Sequence, residues 1–228
     1  MKALLLMLLY VWTPLRQEIS LEVFVTCRTP EIFSDYRNFN FKQEIAPGRD
    51  GLNVKIKSRT LSLGNLNHRI RAAESYVAAQ GPELRAAFDQ VRLNALSLAD
   101  YLKNINDFLK HRIAYSEAES PQEPEAVLAQ ASGHCIGYAN VARALLACVG
   151  IDSRPVNGFY LREEQGRVEP VPHRWLEIDL PGERRVFYDP QYQDFSSRYL
   201  VTKTGFPLQG IERFAGVIVK KNKKILDE

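Results

Sequence analysis

Gly133-His134-Cys135-Ile136-Gly137-Tyr138-Ala139-Asn140-Val141-Ala142-Arg143-Ala144-Leu145-Leu146-Ala147-Cys148-Val149-Gly150 is the stretch whose reading decides the fold. From Ile136 to Val149 only Asn140 and Arg143 are strongly polar. A helix that is apolar nearly all round must be covered on nearly all sides, so this one belongs at the centre of a core. Gly150 supplies the left-handed residue that commonly closes a helix. Gly133 and Gly137 flank the start and let other backbone come close. Cys135 falls in the first turn, where unpaired amides and the positive end of the helix dipole favour an anion. A cysteine so placed loses its proton near neutral pH, and the thiolate is the nucleophile. The plain alternative makes Cys135 one more small buried residue, the reading that suits Cys148.

Around this helix the chain is long enough for one good core and too short for two ample domains, at 228 residues. A net charge of +3 is far from a nucleic-acid footprint. The basic cluster Lys220-Lys221-Asn222-Lys223-Lys224 near the C-terminus reads as a solvated tail. Three cysteines, Cys27, Cys135 and Cys148, make no disulfide framework, and no Cys-x-x-Cys pair suggests zinc. In an exported chain Cys27 and Cys148 are free to pair and leave Cys135 alone. Lys2 followed by the apolar run Ala3–Trp12, broken by Thr13-Pro14, has the form of a secretory signal. It is too short to span a bilayer. Residues 1–16 are therefore expected to be a signal or anchor segment, with a buried strand as the other option, and the protein to be exported. Membrane contact is expected only through that segment.

The period of hydrophobicity then changes along the chain. Leu21, Val23 and Val25 alternate with polar or exposed partners, as do Phe39, Phe41, Gln43 and Ile45. The turn 46–51 leads into Leu52, Val54 and Ile56, a hairpin by its turn residues and its period of two. Residues 17–64 thus form an N-terminal β unit. Helices are expected over 66–79, over 82–93 with Pro82 at the first position, and from Leu98 behind the capping box Ser97–Asp100. Leu98, Leu102, Ile105, Leu109 and Ile113 keep one apolar stripe. Residues 113–115 leave it as an extended piece, and a short helix over 125–130 delivers the chain to Gly133. Beyond the central helix, Arg154, Val156, Phe159 and Leu161 read as a strand, and 163–167 as a polar turn. His173, Trp175, Glu177 and Asp179 alternate with Arg174, Leu176, Ile178 and Leu180. Pro181-Gly182 suits a type II turn, Arg185–Tyr188 returns as a strand, and Val217–Val219 reads as a final edge strand.

That hairpin brings chemistry together. A loop pairing Leu180 with Glu183 sets His173 against Pro190, and one pairing Asp179 with Glu183 sets His173 against Asp189. Either places imidazole and carboxylate at one end of the hairpin, within side-chain reach. Cys135, His173 and Asp189 are then the parts for nucleophilic acyl transfer. His173 takes the thiol proton, Asp189 holds the useful tautomer, and the Cys135 N–H faces the oxyanion.

Gly133-His134-Cys135 with Tyr138-Ala139, then Ala144-Leu145-Leu146 and Gly150-Ile151-Asp152-Ser153-Arg154, resembles the core of the transglutaminase-like superfamily, in its bacterial form. So do Gly158-Phe159-Tyr160, His173-Arg174-Trp175-Leu176-Glu177 and Tyr188-Asp189-Pro190. The resemblance covers about residues 98–191, with the three blocks in the family's order. It implies an α+β, papain-related fold, with the cysteine helix packed on an antiparallel sheet that carries the His and Asp. Residues 65–228 become a transglutaminase-like domain with leading helices. It also implies thiol-dependent chemistry on protein or peptide amides: transamidation, deamidation or hydrolysis. Ile136 stands where the family often has an aromatic residue. No acidic calcium loop is present, which argues against the calcium-dependent crosslinkers of animals.

The remaining polar residues take plainer roles. His134 shapes the start of the helix and is a candidate substrate contact. Trp175 shares a strand face with His173 and either walls the cleft or fills core. Tyr115 is a candidate second oxyanion donor. His68 and His111 read as surface residues, and Glu177 with Arg154 as a buried pair. Zinc on His134, Cys135 and His173 lacks a fourth ligand, so neither metal nor cofactor is expected. The two function classes are a cysteine acyl-transfer enzyme, with a protein or peptide as substrate and no nucleic acid, and a scaffold that keeps the fold without the chemistry.

Overall fold

Helices cover one face of a four-stranded sheet, and a second, five-stranded sheet covers the other. The computed structural model describes residues 17–26, 30–49, 51–59, 69–116, 118, 120–164, 167–180, 184–192, 198–203 and 216–225. In chain order the elements are β1 (Gln17–Thr26), β2 (Tyr36–Arg37), β3 (Phe41–Pro47), β4 (Leu52–Arg59), α1 (Glu74–Ala78), α2 (Pro82–Arg92), α3 (Leu98–Arg112), β5 (Ala114–Tyr115), α4 (Pro124–Gln130), β6 (Ser132–Gly133) and α5 (Cys135–Ala147). They continue with β7 (Ser153–Glu164), β8 (Arg167–Leu180), β9 (Arg184–Tyr188), β10 (Tyr199–Val201) and β11 (Gly216–Ile225). The fold is α+β, as expected. The expected signal segment, Cys27, His68 and the turn at Pro181-Gly182 lie outside the described residues.

The central sheet runs β10-β7-β8-β9, all antiparallel. Its even-numbered β8 residues Leu176, Ile178 and Leu180 face the helices, with Val186 and Tyr188 from β9. Its odd-numbered side, with Trp175, Phe187 and Tyr199, packs on Leu21, Val23, Val25, Phe41, Val54 and Ile56 of the outer sheet. Alternation along a strand buried on both faces sends successive side chains into two separate cores. The outer sheet, ordered β11-β1-β4-β3-β2, draws strands from both ends of the chain.

Helix α5 is buried as its composition demands, with Ala139, Val141, Ala142, Leu145 and Leu146 fully enclosed. Gly150 closes it at φ +71°. At its start, a Cβ on Gly137 would stand 3.1 Å from Val127 and 3.4 Å from the carbonyl of Pro121. Small size there lets α4 lie against the first turn. Helix α3 has the capping box that Ser97 and Asp100 announce, with both reciprocal bonds made. Helix α2 lacks a cap of its own, and Glu125 of α4 supplies one by accepting from the N–H groups of Glu83 and Leu84.

Several expectations change in detail. The helix expected over 66–79 is, among the described residues, only Glu74–Ala78. No side chain caps its start, and the Ala73 N–H donates instead to the Cys148 carbonyl at 2.7 Å, tying the segment to the end of α5. Phe39 is not part of β3: it sits in a bend, 54% exposed. Its N–H donates to the Arg185 carbonyl, which caps the edge of β9. The basic run near the C-terminus is not a free tail, since Lys220–Lys224 lie within β11, paired to β1. The register sets Lys220 opposite Glu22 and Lys224 opposite Glu18. The β8–β9 hairpin takes neither expected register. Leu180 pairs with Arg184 and Leu176 with Tyr188. Arg154 and Glu177 do form an ion pair, with Glu177 wholly buried.

Candidate active site

Cys135 is the first residue of α5, so its N–H has no acceptor within the helix. His134 is the N-cap: its Nδ1 accepts from the Ile136 N–H at 3.2 Å. Only a neutral imidazole has that lone pair to offer. Burial and the Arg174 guanidinium hold His134 below the usual histidine range, in keeping with that role. Its ring is thus engaged in building the helix start that presents the thiol.

His173 comes from β8 and Asp189 from the residue after β9. Extended past its last pair, the observed register sets Trp175 opposite Asp189, with His173 as diagonal neighbour on the same face. Side chains in that relation still reach each other, and His173 Nε2–H donates to Asp189 Oδ2 at 2.6 Å. Asp189 is fully buried, and each of its oxygens is used. Oδ1 accepts from the N–H groups of Gln191 (2.9 Å) and Tyr192 (3.2 Å), and Oδ2 also accepts from the Tyr199 hydroxyl (2.7 Å). With Nε2 committed to the carboxylate, Nδ1 is the nitrogen left for Cys135, whose sulfur hydrogen-bonds to His173.

The electrostatics follow from these contacts. Burial pushes the Cys135 thiol up, but the His173 hydrogen bond and charge, the backbone N–H of Arg174 and the Arg174 guanidinium outweigh it. The thiol ends below its ordinary value. Burial lowers His173, yet Asp189, by charge and hydrogen bond, and Cys135 together raise it to about 9. Each group favours the charged form of the other, which is the condition for a thiolate–imidazolium pair. Cys148 is a free, fully buried thiol with no such help, pushed up to about 11 by burial.

The other expected residues lie at varied distances from this centre. Trp175 is wholly buried, stacked 6.0 Å from the His173 ring and 4.7 Å from Tyr199, so it backs the imidazole from within the core. Tyr115 is half exposed on β5, whose partner in the parallel bridge is Gly133, two residues before the cysteine. His111 is exposed on α3. Among the described residues no group of three or more His, Cys, Asp or Glu is placed to hold a metal ion.

Three contributors escaped the sequence reading. Tyr199 closes the Asp189 shell from β10, and the Tyr192 ring lies 5.0 Å from His173, stacked on Tyr160 at 4.3 Å. Arg174, half-buried and held by its Nε–H donation to Asn157 Oδ1 at 2.8 Å, adds positive charge beside the thiol. Tyrosine has no periodic signature, and Arg174 alternates onto the helix-facing side, where apolar residues are the rule. Only the departure from that rule at Arg174 was there to be noticed.

The family model described as "Transglutaminase-like superfamily" matches residues 85–190. A candidate cysteine protease from Cytophaga hutchinsonii superposes with a TM-score of 0.50 at 10% identity, over 94% of this chain and 91% of its own. The periplasmic domain of TgpA from Pseudomonas aeruginosa gives 0.44 at 12% identity, over 78% and 88%. No curated protein matches by sequence. Residues 85–190, a little under half of the chain, thus match the transglutaminase-like superfamily.

Proposed function

We propose that the protein is a cysteine enzyme that transfers acyl groups from protein or peptide amides through a thioester on Cys135. One observation carries this: His173 hydrogen-bonds both to Cys135 and to a buried Asp189 whose remaining acceptor positions are filled. A scaffold gains nothing from three polar groups arranged so that a thiol is driven toward thiolate.

The steps follow from proton positions. The Cys135 thiolate attacks the amide carbonyl carbon, and the oxyanion forms next to the unpaired Cys135 N–H. The His173 imidazolium gives its Nδ1 proton to the leaving amine, the C–N bond breaks and the thioester remains. His173, neutral again, takes a proton from an incoming water or amine, which displaces the thiolate. Asp189 keeps Nε2–H in place throughout, so that Nδ1 always faces the sulfur. The likeness to a candidate cysteine protease supports the hydrolytic branch, in which water is the acceptor. We further propose, from Lys2 and the run Ala3–Trp12, that the chain is exported.

The test is to incubate the protein with a peptide mixture, quench in acid, and search Cys135 for acyl adducts by mass spectrometry. An adduct on Cys135, absent from Cys148 and from His173→Ala, is expected. Folded protein that leaves Cys135 unmodified with every peptide and with a thiol-directed probe would return the protein to the scaffold class.

A further inference from the structure

Both ends of His134 tie down the first turn of α5. Its Nδ1 accepts from the Ile136 N–H at 3.2 Å, and its carbonyl accepts from the Tyr138 N–H at 3.1 Å. That turn carries the Cys135 sulfur and the Cys135 N–H that faces the oxyanion. Serine, threonine, aspartate and asparagine are the usual residues at a helix start, and none of them changes charge near neutral pH. A histidine makes the same bond only while its ring is neutral. Among the described residues, the charged and titratable groups around that ring are Arg174 and His173 of β8, Cys135 of α5, and Tyr115 of β5, which pairs with Gly133. The positive end of the α5 dipole adds to them. Burial first, and Arg174 second, hold the ring below the usual histidine range.

We propose that His134 is a pH-sensitive positioning residue: neutral, it locks the first turn of α5 for acyl transfer, and protonated, it releases that turn and slows the reaction. Protonation puts a hydrogen on Nδ1, so one donor meets another at Ile136 and the cap bond is lost. The new charge also meets two of its own sign, the Arg174 guanidinium and the helix N-terminus. Both drive the ring out of its place, and the Ile136 N–H is left without its acceptor. The sulfur is held from elsewhere, by His173 and by the backbone N–H of Arg174. In acid, therefore, the charge on the thiolate outlasts the geometry of the oxyanion donor. The regulation rests on the acyl-transfer role of Cys135, whereas the cap itself does not.

Amide NMR of the full-length protein across about pH 5 to 8 reads the cap directly. The Ile136 amide should shift with the same midpoint as the His134 ring protons, and its hydrogen exchange should rise by about tenfold below that midpoint. Two rates at Cys135 are measured alongside. Iodoacetamide alkylates the thiolate with no need of an oxyanion donor. With p-nitrophenyl acetate the thiolate attacks the ester carbonyl, p-nitrophenolate leaves and the acetyl group stays as a thioester. The ratio of acylation to alkylation should fall by about tenfold as His134 becomes charged. His134→Asn keeps a side-chain acceptor that does not titrate, so its ratio should stay within about twofold over the same range, whatever its level. His134→Ala, with no acceptor, should give a low ratio at every pH, and thermal melts confirm that both variants fold. An Ile136 amide indifferent to the ring's titration, or an Asn variant that keeps the wild-type fall, would overturn the proposal. A protein that the ester acylates at no pH would instead overturn the acyl-transfer role, and the Ile136 amide in wild type against His134→Asn would still decide the switch at the helix start.

Discussion

At the scale of single residues, the site is a chain of partners in which each fixes the state of the next. Tyr199 and two backbone N–H groups hold Asp189, Asp189 holds His173, and His173 with Arg174 draws the proton from Cys135. Iodoacetamide labelling followed by mass spectrometry across pH reads this directly. Cys135 should alkylate rapidly at mildly acidic pH, while Cys148 stays unlabelled until the protein unfolds. His173→Ala should move the Cys135 profile up towards the ordinary thiol range of about 8.5. Arg174→Gln should move it the same way by less, because the backbone N–H of residue 174 remains. Farther along the chain, Asp189→Asn brings no charge to the imidazolium and no longer fixes the Nε2–H tautomer, and it should cut turnover by about 10³–10⁴, as in serine enzymes with the same logic. Tyr199→Phe removes one of four bonds to that carboxylate. It should lower kcat by about tenfold with KM unchanged, and a variant with full kcat would take Tyr199 out of the site.

Elements position these residues through close backbone approaches. Gly158 pairs with His173 across β7 and β8, and a Cβ there would stand 2.1 Å from the Leu200 carbonyl oxygen and 2.8 Å from the Trp175 ring. Nothing flexible can yield, since one obstacle is the backbone of β10 and the other a buried indole. Gly158→Ala should therefore cost about 2–4 kcal/mol, pry β10 from β7 and carry Tyr199 off Asp189. Urea melts give the stability loss, and slower Cys135 alkylation reports the damage to the site. By contrast Ser97→Ala, which removes the cap of α3, should cost about 1 kcal/mol and leave the alkylation rate alone. The comparison separates loss of stability from loss of geometry.

Over the whole molecule, the two sheets are joined by apolar packing and by one polar knot. Glu177 accepts from Tyr36 and Asn38 of the outer layer and pairs with Arg154 of its own sheet. Glu177→Ala strands those donors and should cost about 3–5 kcal/mol, with hydrogen exchange rising in β2 and β8 together. Exchange confined to β2 would mean the knot serves one layer only. The pH dependence of stability is also a property of the assembled site. A histidine raised in the folded state stabilises fully below its unfolded value of about 6.5 and loses that contribution as pH climbs towards 9. A thiol lowered in the folded state works in the opposite sense, stabilising above its unfolded value and losing this as pH falls through the folded one. In the native protein the two run in opposite senses, so the thiol offsets part of the decline that the histidine gives between about 6.5 and 9. In Cys135→Ser the opposing thiol is gone and Asp189 still raises His173, so urea melts should show stability declining as pH rises above about 6.5.

What the sequence determined by itself is what local rules and short patterns govern. The apolar run 136–149 demanded burial, Ser97 and Asp100 named a helix start, and the period of two marked β1, β3, β4 and β8. The order of the Cys, His and Asp blocks pointed to the superfamily. Tertiary structure alone decided the rest, because it depends on distances between residues far apart in the chain. The β8–β9 register pairs Leu180 with Arg184, neither of the two pairings expected, and so sets Asp189 diagonal to His173 on one strand face. The C-terminal run Lys220–Lys224 became a strand only because β1 offered an open edge. Tyr199, ten residues beyond Asp189, reaches it because β10 folds back onto β7 at Gly158.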